Sequence, residues 1–393
     1  MTAPHTREFD IVVYGATGYT GRLVAEYLVQ EYGGRPGAPK WAMAGRNAGK
    51  LAEVRDAIGA PADTPLIVAA SDDTEALARM SDRTRVVLTT VGPYQYYGEP
   101  LVSTCAEHGT DYVDLCGEPL WMRDMIDRHD AAARRSGARI IFSGGFDSVP
   151  FDLGVLMLQN EAMKRFGIPA PRVKGRVRVL KGRFSGGTAA SLEGTYKVMT
   201  SSPSLAGRMR SPFALTPGFE GPAQPAADAP AFDQATGSWA APFVMAEINV
   251  KNVHRTNFLL GHPWGRDFVY DEMILTGPGE QGEAIARHIA ATPMIGHQND
   301  PKPGEGPSAE ERRNGRYDVL FVGEWPDGRT LRYAVKGRYD PGYGSTSRMI
   351  AEAGIDLLSS ATPGGIGTPG AILGSTLVER LRDHAEMQFA PED

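Results

Sequence analysis

Residues 9–28 read FDIVVYGATGYTGRLVAEYL, and the reading of this stretch decides the fold. Phe9–Tyr14 is an apolar run that stops at a glycine, the pattern of a parallel strand buried on both faces. From Thr20 the period becomes helical, with Leu23, Val24, Tyr27 and Leu28 on one face. Between the two lies GATGYTG, spaced Gly15-x-x-Gly18-x-x-Gly21. Gly15 suits a tight turn off the strand. Gly18 lets backbone N–H groups approach a pyrophosphate at the helix N-terminus, and Gly21 lets the helix pack close to the sheet. Ala16, Thr17, Tyr19 and Thr20 complete the loop, and both threonines add hydroxyl donors. A strand before and a helix after are the context this pattern needs to signify dinucleotide binding. A glycine turn required only for packing is the plainer reading.

Working outward, strands and helices alternate. Strands are expected at Trp41–Ala44, Pro65–Ala69, Val86–Thr90, Tyr112–Leu115 and Arg139–Phe142. Helices are expected at Lys50–Ile58, Asp73–Met80, Leu101–His108 and Leu120–Ser136. This alternation means an α/β Rossmann domain with a doubly wound parallel sheet, residues 1–150. Where such chains often carry an acidic residue for the adenosine ribose, this one has Gly45-Arg46-Asn47. An arginine offers a planar cationic fork to a 2′-phosphate, and Asn47 beside it adds a donor, so the expected cofactor is NADP(H) rather than NAD(H). Ligands bind at the carboxyl ends of such strands. Thr90, Val91, Gly92, Pro93 and Gly117 are therefore further cofactor candidates, and the loop Gly144–Pro150 faces the same crevice.

Beyond residue 150 the pattern changes to α+β with a mostly antiparallel sheet, 151–344, and the C-terminal helices within 345–393 return to the first domain. A helix is expected at Val155–Phe166 and an antiparallel strand at Val173–Arg183. A further helix is expected at Thr188–Met199, and strands near Asn252–Leu260, Phe268–Thr276, Tyr317–Glu324 and Thr330–Tyr339, the last two joined at a PDG turn. Residues 211–242, rich in Pro, Ala and Gly, read as a long loop or lid. Helices are expected at Ser347–Ser360 and Ile372–Arg382.

The totals exclude several classes. The chain has 393 residues, 22% of them charged, and a net charge of −6 with no basic block, so nucleic acid is not an expected partner. Cys105 and Cys116 are its two cysteines. They read as buried reduced thiols, and the absence of metal-ligand spacing argues against a metal. The polar N-terminus and the absence of a long apolar run predict a cytoplasmic chain without a transmembrane segment. An antiparallel sheet with a face to cover suggests a homodimer.

VYGATGYTGRLVAEYL, AGRN, TTVGPYQYYGEPLVSTCAEHGTDYVDLCGE, GGFDSVPFDLG, FSGGTAASL and DPGYGSTSRMIAEAG together resemble the saccharopine dehydrogenase-like oxidoreductases. More narrowly they are similar to the trans-acting enoyl reductase branch of lipid biosynthesis. The resemblance spans nearly the whole chain. It implies a Rossmann domain plus an α+β domain, NADPH as hydride donor and reduction as the reaction, with Gly15, Thr17, Gly18, Tyr19, Gly21 and Arg46 on the cofactor. The segment Gly277–Asp300, ahead of PKPGEGPS, is short and polar. Relatives that act on long-chain lipids carry a longer and markedly apolar segment there, so this departure from the family pattern implies a smaller or more soluble substrate.

Reduction of an enoyl group needs a hydride, a donor to the developing enolate oxygen and an acid for the α-carbon. Candidates on the crevice loops are Tyr94, Tyr96 and Asp147, with Tyr97, Ser148, Glu118 and the Ser185–Thr188 turn weighed beside them. For Tyr94, Tyr96 and Tyr97 the plainer role is a hydrophobic wall, and for Asp147 and Glu118 it is a cap. His254 and His262 read as structural. The substrate expected is small or acyl-linked. An enzyme acting at a C–N bond and a non-catalytic NADP sensor are the competing readings.

Overall fold

The computed structural model describes residues 7–182, 203–292 and 304–392. The first sheet holds seven parallel strands: β1 Phe9–Tyr14, β2 Trp41–Gly45, β3 Leu66–Val68, β4 Thr84–Thr89, β5 Asp111–Val113, β6 Arg139–Ile141 and β13 Gly365–Gly367, in the order β13-β6-β5-β4-β1-β2-β3. The helices between them are α1 Tyr19–Tyr32, α2 Ala48–Ala57, α3 Thr74–Asp82, α4 Tyr94–Tyr97, α5 Glu99–His108 and α6 Pro119–Ser136. Strand order reverses between β1 and β4, so their carboxyl ends open the crevice where a doubly wound sheet takes its ligand. β1 earns its central place: Ile11, Val12 and Val13 are fully buried, as a strand covered on both faces must be.

The second sheet is mixed, with the order β14-β12-β11-β7-β10-β9-β8. Its strands are β7 Arg172–Lys181, β8 Ala231–Asp233, β9 Ser238–Pro242, β10 Val269–Gly277, β11 Arg316–Glu324, β12 Thr330–Gly337 and β14 Met387–Glu392. All pairs are antiparallel except β7 with β10. The remaining helices are α7 Val149–Phe166, α8 Pro203–Arg210, α9 Ala246–Leu259, α10 Gly279–Ala291, α11 Ala309–Asn314, α12 Thr346–Leu357, α13 Pro369–Ile372 and α14 Ser375–His384. α7 joins the two halves. Its Phe151 ring lies 6.4 Å from that of Phe321 on β11, and a Cβ on Gly154 would stand 2.2 Å from the Phe321 ring. One apolar cluster therefore runs from Ile11 and Val13 through α7 to Val319 and Tyr333.

Three expectations need correction. Asn252–Leu260 is not a strand but the C-terminal half of α9. Tertiary partners bury its polar residues: Asn249 donates to Glu272, Asn252 to Ser148 and Thr256 to Asp152. With polar groups buried on nearly every side, the helix carries no amphipathic period to read. Residues 211–242 are not one loop. Leu215 is fully buried, and β8 and β9 form the edge hairpin of the second sheet. The C-terminal stretch does not return wholly to the first sheet: β13 joins it, but β14 pairs with β12 in the second. The helix expected at Thr188–Met199 and the Ser185–Thr188 turn lie outside the described residues.

Candidate functional site

At the centre of the crevice, β1 turns into α1. Gly15 sits at φ +87°, and a Cβ there would stand 2.6 Å from Val91 Cγ2. A Cβ on Gly21 would stand 2.2 Å from the Gly15 carbonyl oxygen, so loop and helix touch backbone to backbone. The Gly15 and Ala16 N–H groups donate to Ala44 O, fastening the loop to β2. Gly18 is the N-cap of α1. It offers no side-chain cap, and the first turn holds no acidic residue. The first-turn N–H groups are thus left for an external acceptor, at the positive end of a 14-residue helix. The Thr90 hydroxyl beneath this loop is buried and without a hydrogen-bond partner. A glycine cradle, open N–H groups and an orphaned hydroxyl fit a pyrophosphate.

Arg46 and Asn47 stand exposed at the end of β2. The Asn47 Oδ1 accepts from Lys50 N and caps α2, which leaves its amide NH₂ outward. The Arg46 guanidinium makes no hydrogen bond or ion pair among the described residues. It lies within electrostatic reach of Tyr14, whose hydroxyl burial pushes up to about 12, with Asp72 adding to the rise and Arg46 opposing it. An unspent guanidinium at this strand end suits a 2′-phosphate.

After β4 the chain runs Thr90, Val91, Gly92, Pro93 into α4. The Thr90 N–H donates to Tyr14 O and the Val91 N–H to Thr89 Oγ1. Here the tyrosines separate. Tyr94 is buried. Its hydroxyl donates to Thr89 O at 3.2 Å and accepts from Leu115 N at 3.1 Å, and burial raises its pKa well above the phenol value. Tyr94 therefore belongs to the scaffold, which corrects its place among the catalytic candidates. Tyr96 and Tyr97 are 62% and 46% exposed. Glu118 is scaffold too: its carboxylate accepts from the N–H groups of Tyr94 and Gln95, fixing the start of α4. Gly117 beside it is exposed. Asp114 accepts from Cys116 N, Ser143 N and the Tyr112 hydroxyl, tying the loops after β5 and β6 together, and burial pushes its pKa up to about 7. Both cysteines are buried and free.

The loop after β6 carries Asp147. Its neighbour Ser148, not Asp147, is the N-cap residue of α7. Ser148 is fully buried and accepts from Asn252 Nδ2 at 2.6 Å. Phe146 N donates to Thr346 Oγ1 at 3.0 Å, so the start of α12 holds the same loop. Asp147 itself is half-buried, and its carboxylate makes no hydrogen bond among the described residues. Desolvation, with no opposing charge, pushes its pKa up to about 6. The loop thus presents, at the carboxyl end of the sheet, a carboxyl unpaired among the described residues.

Sequence reasoning missed two residues that hold these loops, Asn252 and Arg312. Asn252 lies within a segment misread as a strand, and Arg312, which donates to the Tyr19 hydroxyl, follows the PKPGEGPS segment with no role assigned to it.

A family profile described as the saccharopine dehydrogenase NADP-binding domain matches residues 11–141. A Mycobacterium tuberculosis protein provisionally named a trans-acting enoyl reductase is 38% identical over 97% of this chain and 97% of its own. The trans-acting enoyl reductase of Mycobacterium bovis is 34% identical over 96% of this chain and 97% of its own. The chain belongs to the trans-acting enoyl reductase family. As a member it is an NADP-dependent oxidoreductase with a saccharopine dehydrogenase-like fold. Apo saccharopine dehydrogenase (L-Glu forming) from Saccharomyces cerevisiae superposes with a TM-score of 0.54 at 11% identity. That match covers 98% of this family member and 99% of the yeast chain, and it speaks to fold alone. No helix among the described residues of this reductase is long and apolar enough to cross a membrane.

Proposed function

We propose that the protein reduces the carbon–carbon double bond of an α,β-unsaturated carbonyl substrate, small or acyl-linked, with Asp147 as the proton donor. Bound NADPH supplies the hydride for the β-carbon. The open N–H groups of the β1–α1 loop hold the pyrophosphate, and Arg46 holds the 2′-phosphate. Asp147 holds a proton and delivers it to the α-carbon. Tyr96, exposed on α4, donates its hydroxyl to the carbonyl oxygen as charge develops there.

The observation that carries this reading is the half-buried carboxyl of Asp147, unpaired among the described residues, with its pKa pushed up to about 6. A structural carboxylate in such a place ordinarily has partners, as Asp114 and Asp152 do. The names of the full-length relatives support a C=C bond as the target.

The test is NADPH consumption by the purified protein against α,β-unsaturated thioesters, unsaturated ketones and imines, with Asp147→Asn alongside. Turnover of an enoyl substrate that is lost in the variant supports the reading. Turnover of imines alone would replace it with chemistry at a C–N bond, and tight NADPH binding without turnover of any substrate would leave a sensor.

A further inference from the structure

Tyr19 is the one long side chain in the phosphate loop, and it points to the segment that leads into β11. Its hydroxyl donates to Pro307 O and accepts from Arg312 Nη1 at 3.0 Å, while the same Arg312 nitrogen donates to Pro307 O at 2.9 Å. The Arg312 guanidinium also stands 5.9 Å from the Tyr19 ring centroid. On the other side the Tyr343 ring meets Tyr19 edge-on, with centroids 5.1 Å apart. A Cβ on Gly306 would stand 2.6 Å from the Tyr19 ring, so the segment lies against the aromatic face at glycine distance.

The partners of Tyr19 are themselves held. Ser308 and Glu311 form a reciprocal capping box at the start of α11. Arg312 O accepts from Asp340 N, and the Asp340 carboxylate accepts from the N–H groups of Tyr343 and Gly344. A closed circuit results: Tyr19, Arg312, Asp340, Tyr343 and back to the Tyr19 ring. Among the described residues, no other side chain of Gly15–Gly21 makes a hydrogen bond.

We propose that Tyr19 is a positioning residue for the nucleotide, acting as a latch that sets the phosphate loop against Pro307 and Arg312 rather than as a direct ligand. The loop that must receive the pyrophosphate is then preorganised by the segment before β11, and losing the latch makes binding carry the cost of ordering the loop. Because the pyrophosphate is common to both dinucleotides, the latch acts on NADPH and NADH alike. This separates it from Arg46, which acts through the 2′-phosphate.

The experiment is titration of the purified full chain with NADPH and with NADH, following nucleotide fluorescence, for Tyr19→Phe, Arg312→Gln and the double variant. Phenylalanine keeps the ring against Tyr343 and Gly306 and removes only the hydroxyl. The expected result is roughly fivefold weaker binding of both nucleotides in each single variant, the size a single net hydrogen bond supports. The double variant is expected to bind no more weakly than the weaker single one, because one circuit is broken either way. Unchanged affinity in Tyr19→Phe would overturn the proposal, even if its melting temperature fell. So would a loss confined to NADPH, or losses that multiply in the double variant.

Discussion

The loops of the first sheet and the outer face of the second treat charge in opposite ways. On the second sheet one charge cluster is paired throughout. Arg178 pairs with Asp318 and Glu392, Lys336 reaches Glu392 as well, and buried Arg176 is bracketed by Asp233 and Asp271. At the carboxyl end of the first sheet the pairing is incomplete. Among the described residues, exposed Arg46 has no anion, Asp147 no donor and Thr90 Oγ1 no partner. Folding selects matched groups, since an unmatched buried polar group costs stability. Unmatched groups gathered at one crevice therefore point to partners that arrive from solution. The difference teaches where to test for function: at the groups whose electrostatics the fold leaves incomplete.

The strongest way to break this comparison is Asp147→Asn. If the unmatched carboxyl is the acid, turnover falls by about 10²–10⁴ while NADPH titration shows unchanged affinity. A variant with near-normal turnover would return Asp147 to the scaffold. The same substitution has a second signature. The folded pKa of Asp147 lies above the usual aspartate value, so its contribution to stability is greatest below the unfolded pKa and is lost as pH rises through about 6. Asp147→Asn is accordingly expected to melt higher than the parent at pH 8 and to lose that advantage at pH 4.

Next in size is Arg46→Ala. Loss of one charge-assisted contact with a phosphate should weaken NADPH binding by about 10–100-fold and leave NADH unchanged, as read by competitive titration. Equal effects on both nucleotides would remove the guanidinium from the 2′-phosphate. The pH profile of kcat/KM sharpens the comparison further. With a protonated Asp147 required, the rate falls up to about tenfold per unit above pH 6, and Asp147→Asn abolishes that limb.

The smallest effect belongs to the matched side. Glu392 is held down to about 2, first by its hydrogen bond to Arg178 and also by Lys336. A depressed carboxylate stabilises above its unfolded pKa and loses that contribution as pH falls towards 2. The pair is partly exposed, so Glu392→Gln should cost about 1 kcal/mol or less at pH 7, measured by urea unfolding, and nothing at pH 2. Turnover should not change. A large loss of activity from this substitution would break the division between the two regions.

Much of the first sheet was legible because its strands, buried on both faces, read as continuous apolar runs and its turns carry glycine. The glycine loop between β1 and α1 was legible for the same local reason. The rest depends on contacts that local pattern does not encode. Tyr94, Tyr96 and Tyr97 lie within four residues, and nothing in that stretch says that one hydroxyl is spent on Thr89 and Leu115 while the others face out. Asp147 was visible as a residue, but its lack of a partner was not. The N-cap position expected of it is occupied by Ser148, whose hydroxyl makes no capping bond and meets Asn252 of α9 instead. The family resemblance put Tyr19 on the cofactor, while its partners Pro307 and Arg312 come from far along the chain. α9 was misread because burial of Asn249, Asn252 and Thr256 erases the polar face that a helix usually shows.

The pairing of β13 with β6, and of β14 with β12, has a consequence for how the protein is made. Both sheets receive an edge strand from residues 365–392, which follow all their other strands in sequence. Until Gly365–Gly367 emerges, β6 presents an open edge to the cell, and an open edge invites pairing with other chains. The nucleotide-binding half is first in sequence but cannot be finished first, so a nascent chain stalled near residue 360 should be held by chaperones or cleared by proteases despite carrying the whole phosphate loop.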